Sequence, residues 1–239
     1  MITMKSDRKI YELLKYMLKY SKIIQISGMA GLGKTTLAMT FVKIINSMNE
    51  IGNKSIYIDS EHKFSVGRFD KINYYDEKFT PKKVMNKSIF MVKPRNLFEQ
   101  EKSIKKILLL NKGSTCAYDQ INAIILDSAS NFFRNEVYET NRTSYYMELQ
   151  YFYEYHIFPL LNFQKKHDCI IIFIHQITEN PKEGTKPTLH NLFSQVQSSW
   201  IHLKKEEDYN LMIINRGKEF QTVKYNIQHQ GIQLINYLG

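Results

Sequence analysis

Gly28-Met29-Ala30-Gly31-Leu32-Gly33-Lys34-Thr35-Thr36 is the stretch that decides how the rest of the chain is read. It satisfies G-x-x-x-x-G-K-[ST], and its flanks supply the context that this spacing needs. Ahead of it Lys22 to Ser27 (Lys-Ile-Ile-Gln-Ile-Ser) is short, β-branched and roughly alternating; behind it Thr35 to Asn46 carries apolar residues at helical spacing. Strand, tight loop and helix together make a phosphate cradle. A triphosphate needs many donors close together, and Gly28, Gly31 and Gly33 allow a backbone that aims amide hydrogens inward at the opening of a helix. Lys34 can then reach the β- and γ-phosphates, the Thr35 hydroxyl can hold Mg²⁺, and Thr36 is available to the α-phosphate region. The motif names a nucleoside triphosphate with Mg²⁺ as a ligand without naming a task.

Working outward, three further strands end in polar residues, where open α/β sheets place their sites. Lys54 to Glu61 (Lys-Ser-Ile-Tyr-Ile-Asp-Ser-Glu) ends in carboxylates. Glu61 is the candidate base that would orient and polarise an attacking water, with Asp59 as its neighbour. Ile121 to Asp127 is a nearly continuous apolar run, the pattern of a central parallel strand, and its final Asp127 would face Mg²⁺ beside Thr35, with Ser128 helping to position it. Asp168 to Ile174 is apolar after its first residue and runs into His175 and Gln176, a polar pair that could sense a γ-phosphate and pass the difference to the loop at Thr178 to Thr188.

The remaining elements follow from periodicity. Arg8 to Tyr20 reads as an amphipathic helix packed on the core; Ser88 to Val92 reads as a strand, and Leu97 to Asn111 as a helix burying Leu97, Ile104, Ile107 and Leu108. Phe69 to Lys87 suggests a helix and a loop, Gly113 to Asp119 a turn, and Asn131 to Tyr146 a loop with at most a half-turn of helix. Tyr145 to Phe163 suggests a buried helix with a kink or break at Pro159. Gln195 to Leu203, Asn210 to Asn215 and Phe220 to Ile227 read as short strands, the last elements antiparallel, and Gly231 to Tyr237 could add a final edge strand. The expected fold is a single α/β domain over residues 1–239, a central mostly parallel sheet flanked by helices with an antiparallel C-terminal extension.

Thirty-three Lys plus Arg against 23 Asp plus Glu give a formal charge of +10, which favours a polyanionic partner. Arg134 and Arg142, interleaved with aromatics, and Lys182 and Lys186, in the loop after Gln176, are the candidate contacts to DNA, single-stranded DNA above all. The only two cysteines, Cys116 and Cys169, stand far apart with no histidine cluster beside them, so neither a zinc site nor a disulfide framework is expected. Charges where a signal peptide would need an apolar run, and no apolar stretch of membrane-spanning length, lead to the expectation of a soluble cytoplasmic protein without a membrane partner.

The order of these motifs resembles the ATPase core of RecA-superfamily recombinases, and within it the archaeal RadB-type paralogues, which are short and lack the N-terminal DNA-binding domain. The residues that carry the resemblance are the cradle at 28–36, Tyr57-Ile58-Asp59-Ser60-Glu61, Phe90-Met91-Val92-Lys93-Pro94 with Phe98-Glu99-Gln100, Ile124-Ile125-Leu126-Asp127-Ser128 with Phe133-Arg134, and Ile174-His175-Gln176-Ile177. The resemblance implies a RecA-like P-loop fold, with Glu61 as catalytic glutamate, Asp127 as the Walker B aspartate and Gln176 as the glutamine that couples phosphate state to a DNA-binding loop. It also implies a role in DNA repair and homologous recombination. His175 stands where that family usually carries Asn. Two functions are carried forward: a slow, DNA-stimulated ATPase, and a nucleotide-gated accessory protein that binds a recombinase or repair nuclease, with self-association into a homo-oligomer open in either case. A small-molecule kinase would need an arginine-bearing lid, and no arginine cluster follows the core strands.

Overall fold

β-Branched and aliphatic runs too short for helices make the strands, and the longer amphipathic stretches between them make the helices that cover the sheet. A computed structural model of the chain describes residues 3–48, 54–72, 89–110, 121–137, 142–180 and 184–238. One sheet of nine strands organises them, in the order β11-β10-β9-β8-β1-β5-β4-β2-β3. Its strands are β1 (Ile23–Gly28), β2 (Lys54–Asp59), β3 (Ile89–Val92), β4 (Ile121–Asp127), β5 (Ile170–His175), β8 (Ser199–Lys205), β9 (Asn210–Arg216), β10 (Glu219–Gln228) and β11 (Gly231–Leu238). From β8 through β1, β5, β4 and β2 to β3 every pairing is parallel. The pairings of β8 with β9, β9 with β10 and β10 with β11 are antiparallel. The fold is thus mixed α/β, mostly parallel at its centre and antiparallel towards the C-terminal strands.

Both faces of the central strands are buried. On one side α1 (Thr3–Tyr20) and α2 (Lys34–Met48) pack Leu14, Met17, Leu37 and Phe41 against Ile24, Ile26, Ile125 and Ile172. On the other, α4 (Leu97–Leu110), α6 (Arg142–Phe152) and α7 (Phe158–His167) pack Ile104, Phe152 and Leu160 against Leu126, Ile171 and Phe173. Alternation along each strand assigns every side chain to one of these faces. Tyr57, Asp59, Ile125 and Asp127 therefore share the α2 side, with Tyr57 beside Ile125 and Asp59 beside Asp127.

Three local structures differ from the reading of the sequence. Residues 131–137 form a helix, α5 (Asn131–Val137), where a loop was expected, because Phe132 and Phe133 are buried and the Phe133 ring lies 5.0 Å from that of Phe152. The aromatic stretch after it is only half buried: Phe152, Ile157, Leu160 and Phe163 face the core, while Tyr146, Met147, Tyr151, Tyr155 and Phe158 are on the surface. A π-helical turn, Tyr153–Ile157, interrupts it just before Pro159, which has no N–H to continue the α pattern. The loop expected at 178–188 contains an antiparallel hairpin, β6 (Ile177–Asn180) with β7 (Gly184–Pro187). The strand after it, β8, pairs parallel with β1 and antiparallel with β9, so the sheet changes from parallel to antiparallel at this strand. The expected turn at 113–119 and the stretch 73–87 lie outside the described residues. Among the described residues no helix is long and apolar enough to cross a membrane.

Candidate functional site

The loop between β1 and α2 is shaped by contacts that only glycine permits. A Cβ on Gly28 would lie 2.6 Å from the carbonyl oxygen of Leu203 on the adjacent β8, a backbone atom that cannot turn aside. Gly33, at φ +84°, enters α2 in the left-handed region, and a Cβ there would meet Ile227 at 3.0 Å. The loop is also held from behind, where the buried Tyr225 hydroxyl donates to the Leu32 carbonyl at 2.8 Å. The Lys34 ammonium curls back onto the loop, donating to the carbonyls of Gly28 at 2.7 Å and Met29 at 2.9 Å. Burial lowers its pKa, with the charges of Glu61 and Asp127 opposing that shift. The first turn of α2 places free N–H groups and the positive end of a helix at the same point.

Asp127 ends β4 and is almost fully buried. Two hydroxyls converge on its Oδ2, Thr35 at 2.8 Å and Tyr57 at 2.6 Å. Burial raises its carboxyl to about 6; the two hydroxyl donors resist the shift, and the charges of Glu61 and Asp59 add to it. Ser60 ties the tips of β2 and β4 together: its N–H donates to the Asp127 carbonyl at 2.7 Å, and its hydroxyl accepts from the Ser128 N–H at 2.9 Å. Ser128 takes part through that backbone bond, and its own hydroxyl is buried without a hydrogen-bond partner. Asp59 faces the following loop, where Oδ1 accepts from the Lys63 N–H and Oδ2 from the Phe64 N–H, each at 3.0 Å. It is a loop anchor.

Glu61 lies just past the end of β2 with both carboxylate oxygens engaged. Oε1 accepts from the Gln176 side-chain amide, and Oε2 is 2.5 Å from the Lys63 ammonium. Burial pushes its pKa up, but the bonds from Lys63 and Gln176 and the charges of Lys63 and Lys34 outweigh this and leave it below its ordinary value. Gln176 also closes the neck of the β6–β7 hairpin, its carbonyl accepting from the Thr188 N–H at 2.8 Å. His175 points the other way. Ile174 faces the α2 side, so alternation turns His175 to the opposite face, fully buried, 3.0 Å from Gln25 Oε1 and stacked on Trp200. Burial drives its pKa down to about 3, with the nearby His202 and His190 adding to the shift. It is a core histidine, and Gln176 alone of the expected pair reaches Glu61.

These elements enclose a cavity of about 190 Å³ lined by Gly31, Gly33, Lys34, Thr35, Thr36, Glu61 and Asp127 together with Ala30, Met39, Lys63 and Arg68. Residues from the loop, α2, the segment just after β2 and the tip of β4 thus meet in one space, whereas Gly28 does not line it and instead accepts from Lys34 through its carbonyl. Beside it lies a wider cavity of about 850 Å³ between α3 (Val66–Lys71) and the turn joining β10 to β11, and Arg68 lines both. Of the expected nucleic-acid contacts, Arg134 lies on α5 and Lys186 on β7, and neither lines the smaller cavity. Arg142 opens α6, and Lys182 lies outside the described residues.

Sequence reasoning passed over Tyr57, Lys63 and Arg68. Tyr57 carried a signal, a phenol in a largely apolar strand two residues before Asp59 and therefore on the same face. Lys63 and Arg68 carried none, because a left-handed His62, at φ +55°, sets how the loop turns after β2. Among the described residues no group of three or more His, Cys, Asp or Glu is placed to hold a metal ion. Thr35 and Asp127 offer a hydroxyl and a carboxylate oxygen side by side at the cavity, a hard oxygen pair that suits Mg²⁺ if phosphate and water complete its shell. No protein-family model matches the chain, and no curated protein matches it.

Proposed function

We propose that the chain is a RecA-like P-loop ATPase that binds ATP with Mg²⁺, hydrolyses it slowly and acts on DNA in homologous recombination or repair. The observation that carries the reading is the meeting of Gly31, Gly33, Lys34, Thr35, Thr36, Glu61 and Asp127 in one cavity at the tips of parallel strands. That volume suits the phosphates, and the larger cavity sharing Arg68 has the room for a nucleoside. In the strand order β3-β2-β4-β5-β1, the site sits at the carboxyl ends of the strands.

In this reading Lys34 exchanges the carbonyls of Gly28 and Met29 for phosphate oxygens, and the α2 N-terminus supplies backbone donors. Thr35 and Asp127 would hold Mg²⁺, which when bound neutralises phosphate charge. Glu61 takes the proton of a water whose oxygen bonds to the γ-phosphorus. The bond from that phosphorus to the β–γ bridging oxygen breaks, leaving ADP and phosphate. The Gln176 side chain holds Glu61 while its backbone holds the hairpin neck, so phosphate state and hairpin position have a direct connection. The charge of +10 and the cations Arg134, Arg142, Lys182 and Lys186 supply the electrostatic case for DNA. The engagement of both Glu61 oxygens, by Lys63 and Gln176, gives a second reading its observation: a nucleotide-gated partner of a recombinase or repair nuclease, in which hydrolysis is incidental.

ATP turnover measured with and without single-stranded DNA at several salt concentrations tests the proposal. Wild-type turnover should rise with DNA and the rise should fade with salt, Lys34→Ala should abolish it, and Glu61→Gln should bind ATP while losing roughly 10²- to 10⁴-fold in rate. Bound ATP without DNA stimulation selects the second reading. Unchanged turnover in Glu61→Gln removes Glu61 as the base.

A further inference from the structure

Lys63 is built into the cavity wall by the loop that follows β2. Its N–H is fixed on Asp59 Oδ1 at 3.0 Å, the next residue is fixed on Asp59 Oδ2, and Phe64 is anchored in the core with its ring 4.8 Å from Tyr57 and 5.7 Å from Phe69. The backbone is pinned, whereas the Lys63 side chain is 62% exposed, on a flexible stem that can swing about that fixed point. Its ammonium is 2.5 Å from Glu61 Oε2, and the residue lines the same cavity as Lys34 and Thr35.

Such a pair is weak in exchange terms, because one partner is largely in solvent. A terminal phosphate entering the cavity brings more charge than one carboxylate and three acceptor oxygens. We infer that Lys63 is a γ-phosphate ligand that leaves Glu61 when a triphosphate enters, so the group to be cleaved is also what releases the base. The inference rests on the nucleotide reading above. A diphosphate, which lacks that terminal group, leaves Lys63 on Glu61, and the site therefore tells ATP from ADP by a cation of its own chain. With Gln176 still on Oε1, the freed Oε2 is the oxygen that can accept a water.

The test is equilibrium binding of fluorescent ATP and ADP analogues, with Mg²⁺, to the full chain carrying wild-type Lys63, Lys63→Ala or Lys63→Arg. Lys63→Ala should weaken ATP about tenfold and leave ADP within about twofold, and Lys63→Arg should keep most of the ATP preference. An equal loss for both nucleotides, or no loss for either, overturns the inference and leaves the nucleotide reading standing. Wild-type protein that binds neither analogue overturns the nucleotide reading, and the inference falls with it.

Discussion

Replacing Asp127 by Asn should stabilise the protein on its own and, under the proposed function, remove a response to magnesium with ATP. The Asp127 carboxyl rises from 3.8 to about 6, chiefly through burial, so ionising it inside the fold costs more than in the unfolded chain. At about 1.4 kcal/mol per pH unit, that gap amounts to about 3 kcal/mol. Its sign follows from which state holds the proton. Below 3.8 both states are neutral and nothing is lost; as pH rises the unfolded chain ionises first, and stability falls until the folded carboxyl has also ionised, above about 6. The Asn oxygen can accept from Thr35 and Tyr57 without carrying a charge. Thermal melts of both proteins across pH 4 to 8 should show curves that nearly coincide at pH 4 and diverge to a plateau above pH 7, with Asp127→Asn higher by roughly 6–12 °C at about 2–4 °C per kcal/mol. Adding Mg²⁺ and ATP should then raise the wild-type melting temperature and leave the variant's unchanged. A difference that is independent of pH, or a variant less stable at pH 8, refutes the assignment of Asp127 as a buried charge held ready for a cation.

Two further substitutions probe the supports of the same site. Tyr57→Phe removes one of the two hydroxyls on Asp127 Oδ2 and should cost about 1.5–3 kcal/mol at pH 8, where the carboxylate is ionised, and less at pH 5; urea unfolding at both pH values measures it, and an equal loss at both would place the effect in packing. Gly28→Ala drives a Cβ to 2.6 Å from the Leu203 carbonyl oxygen and should lower stability by roughly 1–3 kcal/mol through displacement of β8, read from the shift of the urea midpoint; an unchanged midpoint would mean that β1 and β8 can separate freely.

Much of the architecture is legible because strands and carboxylates announce themselves together. The run Ile121 to Leu126 can be buried on both faces, and the Asp127 that ends it falls at a strand tip; the same logic brings Glu61 to the tip of β2 and Gln176 to that of β5. What was hidden has physical causes. His175 is adjacent to Gln176 in sequence but on the other face of the sheet, a consequence of strand alternation that a reading by proximity overlooks. Residues 131–137 look polar, yet Phe132 and Phe133 supply enough burial to fix a helix. The hairpin β6–β7 pairs residues such as Thr178 with Lys186 that carry no alternating apolar signal, so its strands were invisible to a hydrophobic pattern. Lys63 depends on a single left-handed residue before it, and no periodicity encodes that turn.

The hydroxyl of Tyr225 on the Leu32 carbonyl joins groups 193 positions apart in the chain. The same long span brings Ile227 against Gly33 and strand β11 against α1 and α2. Closing so long a loop loses chain entropy before the contact repays it. During synthesis the loop between β1 and α2 emerges early, and the Tyr225 that backs it emerges 193 residues later. Its finished shape is therefore a record that the C-terminal strands have arrived, and a nucleotide that requires that shape would be held by the assembled protein and passed over by the nascent one.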